Sequence, residues 1–233
     1  MDNVNHRKHT GEAMDNSIRM SGLGGQGVVT AAHILGSAAV MDGKNSTVNP
    51  FFGAEKRLAP AESYVRISTT PIYDVGEIVY PNIIMIFHPD VITLGKSYTM
   101  PFFSGVRKDG VIIVNSENRI ELSSDDKGEI ERLNIKLYFI DATETARTTG
   151  KTELSANVAM LGALVGLTGV VTVESLHEAL KERFGGKVKL VASGTTAALD
   201  DAIKRQFDKV EKLIAANIAV FDVALKNASA LKV

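Results

Sequence analysis

A chain of 233 residues with 45% hydrophobic and 23% charged side chains is long enough to bury a core as one large domain or two small ones. A formal net charge of −1 gives no electrostatic case for a nucleic-acid or anionic-membrane partner. The chain has no cysteine, which excludes disulfides, a cysteine nucleophile and cysteine-held iron–sulfur or zinc centres within it; of its five histidines, His6 and His9 sit in a polar leader, and His33, His88 and His177 lack the spacing of a ligand pair on one helix.

Residues 1–16 are polar, with no apolar signal core, and are expected to form a mobile leader of a cytoplasmic protein. Short β-type runs follow at 17–22, 45–50, 63–68, 83–87, 111–115 and 136–140. The last three are apolar enough for burial on both faces, which suits a largely parallel sheet. Between them, 27–43 has helical apolar spacing and ends at Gly43, a C-cap candidate. A short helix is expected at 90–97 and a polar one at 124–133.

The last third reads as helical. Residues 152–169 predict a nearly all-apolar core helix capped by Thr152 or Ser155. The longest uncharged stretch, Leu154 to Val173, is interrupted by Ser155, Asn157, Thr168, Thr172 and three glycines, so no bilayer span is expected. Residues 172–185 predict an amphipathic helix with Thr172 at its N-cap and Val173, Leu176, Leu180 and Phe184 on one face. From about Ser193 the tail carries more apolar surface than a lone helix exposes. The expectation is a three-layer α/β domain over 17–192, with a largely parallel central sheet and a glycine-rich loop after its first strand. A helical extension over 193–233 would pack on the domain or on a partner chain.

That loop is the segment "SGLGGQGVVTAAHIL". Gly22, Gly24 and Gly27 match G-x-G-x-x-G between a strand and a helix. Missing Cβ atoms let backbone N–H groups approach a diphosphate, and the helix N-terminus adds partial positive charge. A dinucleotide site also wants an acidic residue at the end of the second strand, where this chain has Asn49 and Pro50. The open readings are a tight strand–helix turn, another phosphate-bearing ligand, or a partner chain on the loop. A second segment, "FFGAEKRLAPAESYVRIS", is dense in charge beside an aromatic pair. It reads as a solvated loop or as an anion or interface loop with Arg57 as a fork-shaped donor. In a third, Asn157 sits within an apolar helix and needs a hydrogen-bond partner, such as the loop. No residue is assigned a catalytic role and none a metal-ligating one.

Taken in order, the three segments resemble the gamma subunit of the 2-oxoacid:ferredoxin oxidoreductases, the pyruvate synthase and 2-oxoisovalerate oxidoreductase family. Gly22, Gly24, Gly25, Gln26 and Gly27 agree with the family's G-x-G-G-Q-G pattern. The resemblance implies a non-catalytic chain of a complex that decarboxylates a 2-oxoacid on thiamine diphosphate and forms acyl-CoA. It places thiamine diphosphate, Mg and the 4Fe-4S clusters on alpha, beta and ferredoxin-like delta partners. For this chain it implies contact with coenzyme A through Gly22, Gly24, Gly25, Gln26, Gly27 and Arg57, or with a partner. Ala54 and Leu58 depart from the pyruvate-type motif, which leaves branched and aromatic 2-oxoacids open beside pyruvate. The alternatives are a freestanding nucleotide-binding oxidoreductase and a scaffold subunit that binds no ligand.

Overall fold

The structure, a computed structural model, describes residues 15–53, 58–185 and 197–232. The expected leader therefore lies outside the described residues apart from Asp15 and Asn16, and so do Arg57 and the boundary expected at 192–193.

The chain runs β1 (Asn16–Leu23), α1 (Val28–Met41), β2 (Asn45–Phe52), β3 (Pro60–Ser68), β4 (Ile83–Ile86) and a single-turn α2 (Asp90–Thr93). It continues with β5 (Val111–Asn115), α3 (Ser124–Arg132), β6 (Lys136–Ile140) and α4 (Ala142–Gly150). After a 3₁₀ turn at Glu153–Ser155 come α5 (Ala156–Thr168), α6 (Val173–Gly185) and α7 (Ala197–Ser229). One six-stranded sheet has the order β2-β3-β1-β4-β5-β6. Strands β1, β4, β5 and β6 are parallel, while β3 runs antiparallel to both β1 and β2. The sheet is largely parallel, as expected, with one reversed strand between β1 and β2. The outer strand β2 carries Pro50 and ends on the exposed Phe51 and Phe52.

Strand alternation divides the core into the two interfaces of a three-layer domain. Ile18, Met20, Ile83, Met85 and Ile113 pack with α1, α4, α5, α6 and α7. Ile84, Ile86, Ile112 and Val114 point the other way, onto Val91 of α2, Ile130 of α3 and the Phe102–Val106 segment. Burial on both faces is why β4 and β5 read as unbroken apolar runs.

The helix expected at 152–169 is interrupted. Thr152 accepts a hydrogen bond from Leu154 N and opens the 3₁₀ turn, and α5 starts only at Ala156. Every residue of α5 from Asn157 to Leu167 is buried. Its inner face meets the sheet, and α7 covers its outer face. A Cβ on Gly166 would lie 2.7 Å from the Leu225 carbonyl oxygen, so glycine is what lets the two backbones approach. Asn217, Val220, Phe221, Ala224 and Ala228 of α7 are buried in this contact, whereas residues 205–213 are mostly exposed.

Thr172 caps α6 as expected, accepting from Ser175 N at 3.2 Å. It also ties α6 to the end of α1. Asp42 accepts from Thr172 N at 2.9 Å, Thr172 Oγ1 at 2.6 Å and Lys44 Nζ at 3.2 Å. Burial pushes the Asp42 carboxyl up, but hydrogen bonds from Ser175, Thr172 and Lys44 outweigh it and hold the pKa at about 2. Among the described residues, no helix is long and apolar enough to cross a membrane.

Candidate functional site

The glycine loop leaves β1 at Leu23 and enters α1 through Gly27, whose φ of 74° is left-handed. Two of its amides are used by the chain itself. Gly24 N donates to Ala59 O at 2.8 Å, and Leu58 N returns a bond to Gly24 O at 3.3 Å, which continues the β1–β3 ladder into the loop. Gln26 N donates to Leu23 O, and Gln26 Oε1 accepts from Leu23 N at 3.0 Å, so this side chain braces the turn. Among the described residues, the amides of Gly25 and Gly27 make no hydrogen bond, and no side chain caps α1.

The motif glycines serve different purposes. A Cβ on Gly22 would lie 2.7 Å from Val28 Cγ2 and 2.9 Å from Phe87 Cβ. One on Gly27 would lie 2.5 Å from Asn157 Nδ2. Those positions need glycine for packing within the chain. Gly25 has a φ of +96° and, among the described residues, nothing within 4 Å of its absent Cβ, so it faces open space. Asn157 finds its partner on the loop: its Nδ2 donates to Gly27 O at 3.3 Å, and its Oδ1 accepts from Val158 N at 2.9 Å.

That open space is a cleft of about 730 Å³ at the carboxyl ends of β1, β4, β5 and β6. After β1 the chain turns toward β2 and β3, and after β4 toward β5 and β6. A crevice opens where the strand order parts in this way, and ligands of open α/β sheets bind there. Asn115 holds the cleft floor together. Its Nδ2 donates to Phe87 O at 3.1 Å and to Thr143 Oγ1 at 3.0 Å, while its Oδ1 accepts from Ala142 N at 3.1 Å. His88 Nδ1 accepts from Asp90 N at 3.1 Å, which assigns the proton of the neutral ring to Nε2. Asp141 caps α4 by accepting from Glu144 N at 2.9 Å.

The charge of the cleft lining is unbalanced. Glu117, Asp141, Glu144 and Glu153 face a single Arg or Lys among the described lining residues, Arg147. Arg147 Nε donates to Glu144 Oε2 at 2.8 Å, and Nη1 lies 3.8 Å from Glu153 Oε1. The hydrogen bond that Arg147 donates to Glu144, and the charge of that carboxylate, raise the Arg147 guanidinium above its ordinary value. Among the described residues, no group of three or more His, Asp or Glu side chains is arranged to hold a metal ion.

A second polar cluster lies under the sheet beside the loop, and sequence reasoning missed it. The fully buried Glu62 accepts from Tyr64 Oη and Ser97 Oγ, each at 2.7 Å, and from Tyr98 N and Thr99 N, each at 3.2 Å. Arg19, also buried, donates from Nη2 to Phe102 O at 2.9 Å. Burial pushes the Arg19 guanidinium below its ordinary value, against the charges of Glu62 and Tyr64. Burial and the hydrogen bond to Glu62 push the Tyr64 hydroxyl up. The cluster pins segment 97–102 to β1 and β3 and seats Tyr98 edge-on to Phe51, with ring centroids 4.9 Å apart. Neither Glu62 nor Arg19 lines the cleft.

These features define a three-layer α/β domain that presents a glycine loop at a strand-order switch. The dinucleotide fingerprint fails for a structural reason as well. Because β3 separates β2 from β1, an acidic residue at the end of β2 would lie two strands from the loop.

The profile of the family described as Pyruvate ferredoxin/flavodoxin oxidoreductase matches residues 17–198. The chain is 37% identical over 172 residues to the pyruvate synthase subunit PorC of Methanothermobacter thermautotrophicus, covering 73% of this chain and 86% of that one. It is 37% identical over 171 residues to the pyruvate/ketoisovalerate oxidoreductases common subunit gamma of Pyrococcus abyssi, covering 73% and 88%. Among solved structures it resembles the 2-oxoglutarate:ferredoxin oxidoreductase of Magnetococcus marinus with 2-oxoglutarate, coenzyme A and succinyl-CoA bound. The TM-score there is 0.68 at 22% identity, over 93% of this chain and 31% of that longer one. The chain belongs to the pyruvate ferredoxin/flavodoxin oxidoreductase family, as a gamma-subunit member. It is thus a subunit of an oxidoreductase, and the resemblance drawn from its three segments holds.

Proposed function

We propose that this chain supplies the coenzyme A cleft of a complex that oxidatively decarboxylates a 2-oxoacid, with pyruvate as the substrate. The carboxylate leaves as CO2, two electrons pass to ferredoxin-type one-electron acceptors, and the thiol sulfur loses its proton and bonds the acyl carbon. Thiamine diphosphate with Mg would sit on alpha and beta partners. With no cysteine in this chain, thiolate-held 4Fe-4S clusters would sit on beta and delta partners.

One observation carries the reading. Gly25, whose amide makes no hydrogen bond among the described residues, lines the switch-point cleft, and the uncapped start of α1 follows it in the chain, so a diphosphate there would find a donor and a favourable helix dipole. The two relatives are subunits of a pyruvate synthase and of pyruvate/ketoisovalerate oxidoreductases, and the Magnetococcus structure contains coenzyme A. Both support it.

The test is Gly25→Val in the assembled complex, with Gly25→Ala as the control for backbone strain. Valine should raise KM for coenzyme A about tenfold beyond alanine, the loss of about one charge-assisted hydrogen bond. An unchanged KM would sink the proposal. A second reading, a partner chain on the loop, draws on Phe52 and Leu58 beside it, which are 60% and 67% exposed. It expects Gly25→Val to weaken subunit assembly instead.

A further inference from the structure

At the end of the sheet opposite the cleft, residues 69–82 join β3 to the amino end of β4 without a helix or strand. Irregular connections of that length in compact domains are usually functional. This one holds Tyr73, Val75, Val79 and Tyr80 outward, at 87%, 85%, 61% and 65% exposure. Slack does not explain them, because the loop is pinned along its length. Arg66 of β3 spreads its fork over the loop backbone, donating from Nη1 to Gly76 O and from Nη2 to Glu77 O, each at 2.9 Å. Ile78 is buried, Arg107 N donates to Pro81 O at 2.9 Å, and Asn82 N donates to Ser17 O at 3.0 Å. A Cβ on Gly105 would collide with the Val79 carbonyl oxygen. Apolar side chains held out on a fixed frame lose little entropy on docking and point to an interaction surface.

The charges beside them select what covers them. The strand order β3-β1-β4-β5 sets their sequence across this end of the sheet. Asp74 and Glu77 lie on the β3 side, where Arg66 holds the backbone of Gly76 and Glu77. Arg107 and Lys108 lie on the β5 side, in the turn that enters that strand. Val79 and Tyr80 fall between, next to Pro81, which Arg107 N contacts. All four charged residues are exposed, and among the described residues none forms an ion pair. Asp109, which follows Lys108, is engaged by Asn134 Nδ2 at 2.6 Å. The strip therefore runs acid, apolar, base. A partner of one sign would meet repulsion at one end of it, whereas the same strip turned by half a rotation matches it at both.

We propose that this end of the molecule is a homodimer interface. Two copies of the chain meet about a two-fold axis at Val79 and Tyr80, with Asp74 and Glu77 of one protomer against Arg107 and Lys108 of its partner. Each charge contact then occurs twice, the tyrosines and valines are covered, and no strip is left for a third copy. Both clefts stay open, because they lie at the far ends of the two sheets.

The test is sedimentation velocity of the full-length chain over a concentration series at low and high salt. Wild type should pass from monomer to dimer, and high salt should weaken the dimer. Tyr80→Ala should weaken it about tenfold. The double variants Asp74→Lys/Glu77→Lys and Arg107→Glu/Lys108→Glu make the strip all basic or all acidic. Each alone should weaken the dimer about a hundredfold, and mixing the two should restore it. Misfolded chains cannot complement one another in this way. A wild type that is monomeric throughout, reversed variants that dimerise like wild type, or a mixture that stays monomeric would overturn the proposal. So would charge reversals that break assembly with other subunits and leave self-association unchanged, since the strip would then belong to a different partner.

Discussion

Glycine is used in opposite ways in two parts of this molecule. On α5, the space beside Gly162 and Gly166 is filled by the backbone of α7: a Cβ on Gly162 would lie 3.0 Å from Ala224 Cβ and 3.1 Å from Leu225 N. In the loop after β1, a Cβ on Gly25 would have no neighbour within 4 Å among the described residues. The first pair is satisfied by its own chain and contributes packing. The other leaves room for something outside the chain. Glycine content alone does not separate these roles, but the neighbours of the absent Cβ do. Gly22 and Gly27, inside the motif, belong with the packing set.

The largest effect should come from the packed pair. Gly162→Leu must push α7 off α5 and should cost about 3 kcal/mol, which lowers the melting temperature by several degrees. A thermal melt near wild type would mean that the two helices have slack, and the contrast would collapse. Next is Asn157, the side chain that joins α5 to the loop. Asn157→Ala removes the hydrogen bond to Gly27 O and should cost about 1–2 kcal/mol, read as a shift in denaturant midpoint. It should also raise KM for coenzyme A in the complex. A stability loss with KM unmoved would show that the two regions act independently.

The smallest effect lies at the other end of α1 and serves as a baseline. The Asp42 pKa falls from 3.8 to about 2 on folding, so its stabilisation is complete above about pH 5 and fades as pH drops from 4 toward 2. An amide in its place still accepts one of these hydrogen bonds, which leaves a difference of about 1 kcal/mol for Asp42→Asn. Asp42→Asn should therefore be less stable than wild type at pH 7, and the two should converge near pH 2. Curves that stay parallel from pH 7 to 2 would remove the carboxylate from the account.

Much of this was readable in the residues, and the gaps have physical causes. Strands β5 and β6 lie where their apolar runs predicted; β5 is buried on both faces, and the half-buried β6 still packs its apolar side chains against both core layers. Strand direction leaves no such mark: β3 looks like any alternating run, and only the register with β1 shows it reversed. The helix α4 went unread because its nine residues bury only Ala142 and Ala146, too few to make a period. Glu62 and Arg19 look like solvent-facing alternation, yet the 97–102 segment covers them and supplies their partners from far along the chain. The glycine loop and the need of Asn157 for a partner were visible locally. The acidic wall of the cleft was not, since Glu117, Asp141 and Glu153 come from separate connections that only the fold brings together.

Pro50 in the outermost strand bears on how the open edge of this sheet meets another extended chain. A proline fits a ladder where its ring nitrogen turns away from the paired neighbour, so the free flank of β2 presents one donor fewer than any incoming strand would need. Templated growth of the sheet, the route by which exposed flanks seed fibrils, meets an interruption there.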